Sequence, residues 1–158
     1  MNILVLCTGN SARSILLECL LRRKSEGRIS AFSAGSQPSG KVHPQSLKLL
    51  ASLGYDTAGL SSKSWDVFAV PDAPTMHAVI TVCGSAASET CPIWPGAPVT
   101  AHWGVEDPAA AKPEAWQIAF QAAYDVLERR ADALCALPFE DMSRDDLKPA
   151  LDRIGQLS

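Results

Sequence analysis

The chain opens on an unbroken apolar run, Ile3-Leu4-Val5-Leu6, closed by Cys7. A short aliphatic run with no polar position alternating through it predicts a strand buried on both faces. Thr8-Gly9-Asn10-Ser11-Ala12-Arg13 interrupts the pattern. From Ser14 the apolar positions recur at helical spacing, pairing Ile15 with Cys19, Leu16 with Leu20 and Leu17 with Leu21, until Gly27 stops the series. Ile29 to Ser33 alternates as a short strand does, and Ala34 to Gly40 reads as a loop. Pro44 to Leu53 predicts a second helix, with Pro44 at its start and Gly54 past its end. Between Asp56 and Ala73 the pattern weakens; Ser61-Ser62-Lys63-Ser64 suits the start of a short helix, which Pro71 and Pro74 break. Ala78-Val79-Ile80-Thr81-Val82 predicts another buried strand that ends, like the first, on a cysteine, Cys83. Gly84 to Pro98 is a loop by composition, and Val99 to His102 is a short strand. Glu114 to Ala136 is a long amphipathic helix with Trp116, Phe120, Tyr124, Leu127, Ala131 and Leu134 near one face. Pro138 ends it, and Asp145 to Ile154 is a last short helix stopped by Gly155.

Strands alternating with helices predict an α/β fold whose parallel sheet is covered on both faces. Ligands in such sheets bind beyond the carboxyl ends of the strands, where Cys7 and Cys83 both fall. The 158 residues suit one domain, with a short helical extension from about residue 138. A net charge of −3, from 14 basic and 17 acidic residues, leaves no electrostatic footprint for nucleic acid or an anionic membrane. No apolar run approaches the roughly 20 residues that span a bilayer. No basic segment precedes the first apolar run, so a secretory signal is not expected and the protein is expected in the cytoplasm. Five cysteines, an odd number with no zinc-knuckle spacing, argue for reduced thiols rather than a disulfide framework.

The chemistry gathers at the first interruption. Strand, tight polar loop and helix form the arrangement that turns backbone N–H groups at a helix N-terminus into an anion site. Cys7 opens that loop, and a positive field there is expected to lower its thiol pKa into the range of about 3.5–7.5. Arg13 adds a planar fork for two oxygens of a tetrahedral oxyanion, and Ser14 can donate to a thiolate or a leaving sulfur. Asp107-Pro108 supplies a carboxylic acid for protonating a leaving oxygen. Cys83 and Cys91, eight positions apart around a loop of small residues, can approach disulfide distance and, with Cys7, make a thiol relay. Cys19 and Cys135 fall in apolar helical patterns and read as core residues. Trp94, Trp103 and Trp116 read as packing residues, and the dispersed His43, His77 and His102 carry no assigned chemistry.

Cys7-Thr-Gly-Asn-Ser-Ala-Arg-Ser14, Val82-Cys83 with Cys91-Pro92, His102-Trp-Gly-Val-Glu-Asp-Pro108 and Ser33-Ala34-Gly35 together resemble the arsenate reductases built on the low-molecular-weight tyrosine-phosphatase fold. The resemblance runs from Met1 to about Ala136 and implies a central four-stranded parallel sheet of flavodoxin-like architecture. It implies that Cys7 attacks arsenate, held by the N–H groups of Thr8 to Arg13, while Asp107 protonates the departing hydroxyl. Cys83 would then attack the Cys7–arsenic adduct, and Cys91 would resolve the Cys7–Cys83 disulfide. No tightly bound cofactor is implied; the electrons come from an external thiol system, thioredoxin or glutathione with glutaredoxin. Some relatives bind a potassium ion beside the loop, and Asn10, Glu18, Ser33 and Asp66 align with that site. The chain departs from many relatives at Ala12, where they carry a cysteine, and in a Cys83–Cys91 spacing one residue longer than in the best-known thioredoxin-coupled members. The competing expectation is a phosphatase for phosphotyrosine or small phosphoesters, which needs Cys7, Arg13 and Asp107 but neither Cys83 nor Cys91. A non-catalytic oxyanion sensor is the remaining alternative.

Overall fold

Four parallel strands form the centre of the molecule in the computed structural model, which describes residues 1–84, 94 and 96–158. They are β1 (Asn2–Cys7), β2 (Ser30–Gly35), β3 (Ala78–Thr81) and β4 (Val99–His102), in the order β2-β1-β3-β4. The described helices are α1 (Arg13–Lys24), α2 (Pro44–Ser52), α3 (Trp116–Cys135) and α4 (Arg144–Ile154), joined by short 3-10 turns. Residue alternation explains why the first strand is apolar throughout. Ile3 and Val5 face the larger core with α1 and α3, whereas Leu4 and Leu6 face a smaller one with Phe68, Met76, Val79 and Trp94. Helix α1 is buried from Ser14 through Leu21, which is why its apolar positions surround the axis instead of forming a stripe.

Connections leave β1 in one direction toward β2 and return on its other side to β3, so the carboxyl ends of β1 and β3 flank the topological switch point. Cys7 ends β1 there, and Cys83 lies just past β3. Two sequence boundaries shift. Strand β2 continues through Ala34 to Gly35, paired to β1 as far as Cys7, although these residues have loop composition. The helix expected to begin within Ser61–Ser64 is a 3-10 turn, Trp65–Phe68, capped by the Ser64 hydroxyl. Most of the expected Gly84–Pro98 loop, including Cys91, lies outside the described residues.

The segment beyond Leu137 docks along the exposed edge of the sheet. Helix α4 packs on β4 and buries Leu147, Ala150, Leu151 and Ile154. The indole Nε1–H of buried Trp103 donates to the Leu151 carbonyl at 2.9 Å. Arg28 grips the turn before α4, donating to the Cys135 and Leu137 carbonyls and to both Glu140 carboxylate oxygens. No described helix is long and apolar enough to cross a membrane.

Candidate active site

The loop from Cys7 to Arg13 is held from outside by its carbonyl oxygens. The N–H groups of Ser36, Gln37, Ser39 and His43 donate to the carbonyls of Cys7, Thr8, Gly9 and Ser11, and the Ser62 and Ser46 hydroxyls reinforce those of Gly9 and Ser11. The described chain has no cis peptide. In a trans peptide the carbonyl oxygen and the next N–H point opposite ways, so these contacts turn the N–H groups of Thr8, Gly9, Asn10 and Ala12 inward. Asn10, not Gly9, takes the left-handed conformation, with φ 47°. Ala12 caps α1 with no side-chain acceptor, and no acidic residue occupies the first turn, so the helix N-terminus keeps its positive end for an anion. Gly35 is required by proximity: a Cβ there would lie 2.3 Å from the Thr8 carbonyl oxygen.

Inside this cradle two cysteines meet. The Cys83 side chain neighbours that of Cys7, and its sulfur lies 3.4 Å from Thr8 Oγ1. Cys83 and burial push the Cys7 thiol above its ordinary range, with the Arg13 guanidinium opposing them. The lowered thiol expected from the loop's field is therefore not what this arrangement holds. A thiol held in its protonated form must pass its proton on before it can act as a nucleophile. Arg13 reaches across to the loop after β4, donating to the Val105 carbonyl at 3.0 Å and lying 3.7 Å from Asp107 Oδ2. Asp107 is anchored as the cap of the turn Pro108–Ala110, accepting from the Ala109 N–H, while its side chain stays 43% exposed. Cys7, Cys83, Arg13 and Asp107 are thus gathered at one edge of the sheet.

Behind the loop runs a buried chain of hydrogen bonds. Asn10 Nδ2 donates to Ser14 Oγ and to Ser33 Oγ, both at 2.9 Å, and Ser33 Oγ donates to Glu18 Oε1 at 2.6 Å. Glu18, only 3% exposed, is paired to Arg22 at 3.2 Å. Since Ser14 accepts from Asn10, its own proton is left for another acceptor. Of the residues aligned with the potassium site, Asn10, Glu18 and Ser33 converge here, whereas Asp66 lies exposed on the Trp65–Phe68 turn. Lys63 Nζ already stands among their oxygens, donating to the Ser33 carbonyl at 2.8 Å, the Ser61 carbonyl at 2.9 Å and Asn10 Oδ1 at 3.5 Å. Burial pulls the Lys63 pKa down and the Glu18 carboxylate opposes it. With an ammonium in place, these residues do not fit a second, resident monovalent ion.

Two residues at the site went unassigned in the sequence. His43 packs against Trp116 and Phe120, and its Nδ1 caps α2 by accepting from the Gln45 N–H. Only its position before Pro44 signalled the cap. Lys63 was visible only as part of a weak polar run. Cys19 is a core residue as expected, whereas Cys135 is only partly buried and packs against the core from its margin; burial, with the neighbouring Glu18 carboxylate, pushes the Cys19 thiol up to about 12.

Comparison with known proteins places this geometry. The family model for low molecular weight phosphotyrosine protein phosphatase matches residues 2–147. An arsenate reductase of Shouchella clausii is 33% identical over 128 residues, covering 79% of this chain and 88% of the relative. The solved structure of an arsenate reductase in the phosphate binding state superposes with a TM-score of 0.68 and 25% identity, over 85% of this chain and 96% of that one. The tyrosine phosphatase Wzb from Escherichia coli, in complex with sulphate, shares the fold with a TM-score of 0.65 and 23% identity, over 84% of this chain and 97% of that one. On the matched residues and the site they build, the chain belongs to the low molecular weight phosphotyrosine protein phosphatase family and stands among its arsenate reductases.

Proposed function

We propose that this protein reduces arsenate to arsenite through a cysteine relay, and that the position of Cys83 beside the Cys7 loop, its sulfur 3.4 Å from Thr8 Oγ1, is the observation that carries the reading. A hydrolase of this architecture needs one thiolate; a second sulfur against the first gives the covalent adduct a redox exit. Cys7 attacks arsenic in the cradle as its thiol proton passes to an oxygen of the bound arsenate, and Asp107 gives a proton to the departing hydroxyl, which leaves as water. Cys83 then attacks the Cys7 sulfur, its thiol proton passing to an oxygen of the leaving arsenite. The sulfur–arsenic bond breaks, its electron pair goes to arsenic, and arsenite departs. The two electrons that arsenic gains are those the thiols lose in forming the Cys7–Cys83 disulfide. Cys91 attacks Cys83, freeing Cys7, and an external dithiol reduces the Cys83–Cys91 bond. Thioredoxin and glutathione with glutaredoxin are the two candidate donors, and reconstitution with each in turn separates them. Such a cycle needs thiols kept reduced between turnovers, which fits work in the cytoplasm.

Cys83→Ser is the deciding variant. Multi-turnover arsenite production is expected to be lost while aryl-phosphate hydrolysis at Cys7 persists. Arsenate turnover that survives Cys83→Ser would overturn the relay and leave a phosphatase as the reading. Mass spectrometry of the oxidised protein is expected to find Cys83 joined to Cys91; glutathione on Cys83 instead would assign the resolving step to an external thiol.

A further inference from the structure

We propose that the Lys63 ammonium is the built-in cation of the oxyanion loop, a positioning residue that does from within the chain what a bound monovalent ion would do. Its Nζ lies among three oxygens from three separate segments: the Ser33 carbonyl on β2, the Ser61 carbonyl, and Asn10 Oδ1 on the loop itself. The buried Glu18 carboxylate faces the same place, so the chain supplies both the charge and its counter-charge. An ammonium group and a potassium ion are alike in charge and comparable in size, and both are satisfied by carbonyl and amide oxygens.

The consequence for the site runs through Asn10. Its Oδ1 accepts from the Lys63 N–H at 2.9 Å as well as from Nζ, which fixes the amide so that Nδ2 faces Ser14 and Ser33. Ser14 is thereby made an acceptor toward Asn10, which leaves its own proton for another partner. Asn10 also carries the left-handed turn of the loop, so an amide that rotated freely would loosen both the loop backbone and the Ser14 proton. Lys63 thus orients groups that touch the oxyanion without touching it itself. The inference concerns what supports the loop, and it stands whichever oxyanion the loop takes.

The test compares potassium chloride with tetramethylammonium chloride at equal ionic strength, reading thermal midpoint and kcat/KM. For the wild-type protein, neither quantity should depend on the choice of salt. Lys63→Ala removes the ammonium and opens its space. In tetramethylammonium chloride its kcat/KM should fall about tenfold, the usual effect of removing a supporting partner. Potassium or methylammonium should restore most of the rate and raise the midpoint. Lys63→Met fills the space without charge and should show the loss with no recovery. The proposal is overturned if potassium raises the wild-type midpoint or rate, or if it leaves the Lys63→Ala midpoint unchanged. Should Lys63→Ala not fold in either salt, the wild-type comparison decides alone.

Discussion

Cys7 is held up by its neighbour more than by its surroundings, since the Cys83 contact ranks ahead of burial among the causes raising its pKa. Cys83→Ala is therefore expected to move the Cys7 titration to lower pH, read from ultraviolet thiolate absorbance or from the pH dependence of alkylation. In the proposed cycle Asp107 serves proton transfer rather than stability. Its pairing with Arg13 is long and half exposed, so Asp107→Asn should change stability by only about 0.5 kcal/mol. The same substitution should cut kcat by about a hundredfold or more at neutral pH. His43 offers a pH prediction. Burial lowers its pKa, and Asp107 opposes the shift only in part. The unfolded chain then binds the proton more readily, so the contribution of His43 is fully present above the ordinary value of 6.5 and is lost as pH falls from there through the depressed folded value. Protonation would also break the cap on Gln45. His43→Gln is expected to flatten the decline in thermal midpoint on acidifying below 6.5, as a series of melts would show.

At the scale of elements, the anion loop is shaped by segments distant in sequence. Its carbonyls are held by the chain after β2, and its close packing there leaves no room for a side chain at Gly35. Gly35→Ala should destabilise the protein by about 1–3 kcal/mol, the cost of overpacking, and weaken oxyanion binding as the Thr8 peptide is displaced. Denaturant melts with and without phosphate would show both effects. Helix α1 was legible from apolar spacing, yet its buried Glu18 was not, because a lone carboxylate among leucines reads the same whether it meets solvent or Ser33. Strand β2 was cut short in the sequence because Ala34 and Gly35 have loop composition; pairing with Leu6 and Cys7 overrides that preference.

For the whole molecule, the extension beyond Leu137 finishes the sheet. Strand β4 is an edge, and α4 lies against it with Leu147, Leu151 and Ile154 buried. Arg130, 5% exposed, donates to the Trp103, Gly104 and Leu157 carbonyls, tying the strand that leads to Asp107 to the chain's last residues. Leu151→Ala should cost about 2–5 kcal/mol, measured by equilibrium denaturation, and deleting residues 138–158 should leave a protein that no longer unfolds cooperatively.

The order of strands and helices along the chain, and Cys7, Arg13 and Asp107 as the candidates for chemistry, were legible in the sequence alone. Short-range periodicity and loop chemistry are local, and local spacing carries them. Tertiary structure alone decided the rest. It set Cys83 against Cys7, raised a thiol expected to be lowered, and seated the Lys63 ammonium among oxygens of β2, the Ser61 segment and the loop. Protonation and ion occupancy depend on which charges and dipoles lie within a few ångströms. Those neighbours come from residues tens of positions apart, which only the folded sheet brings together.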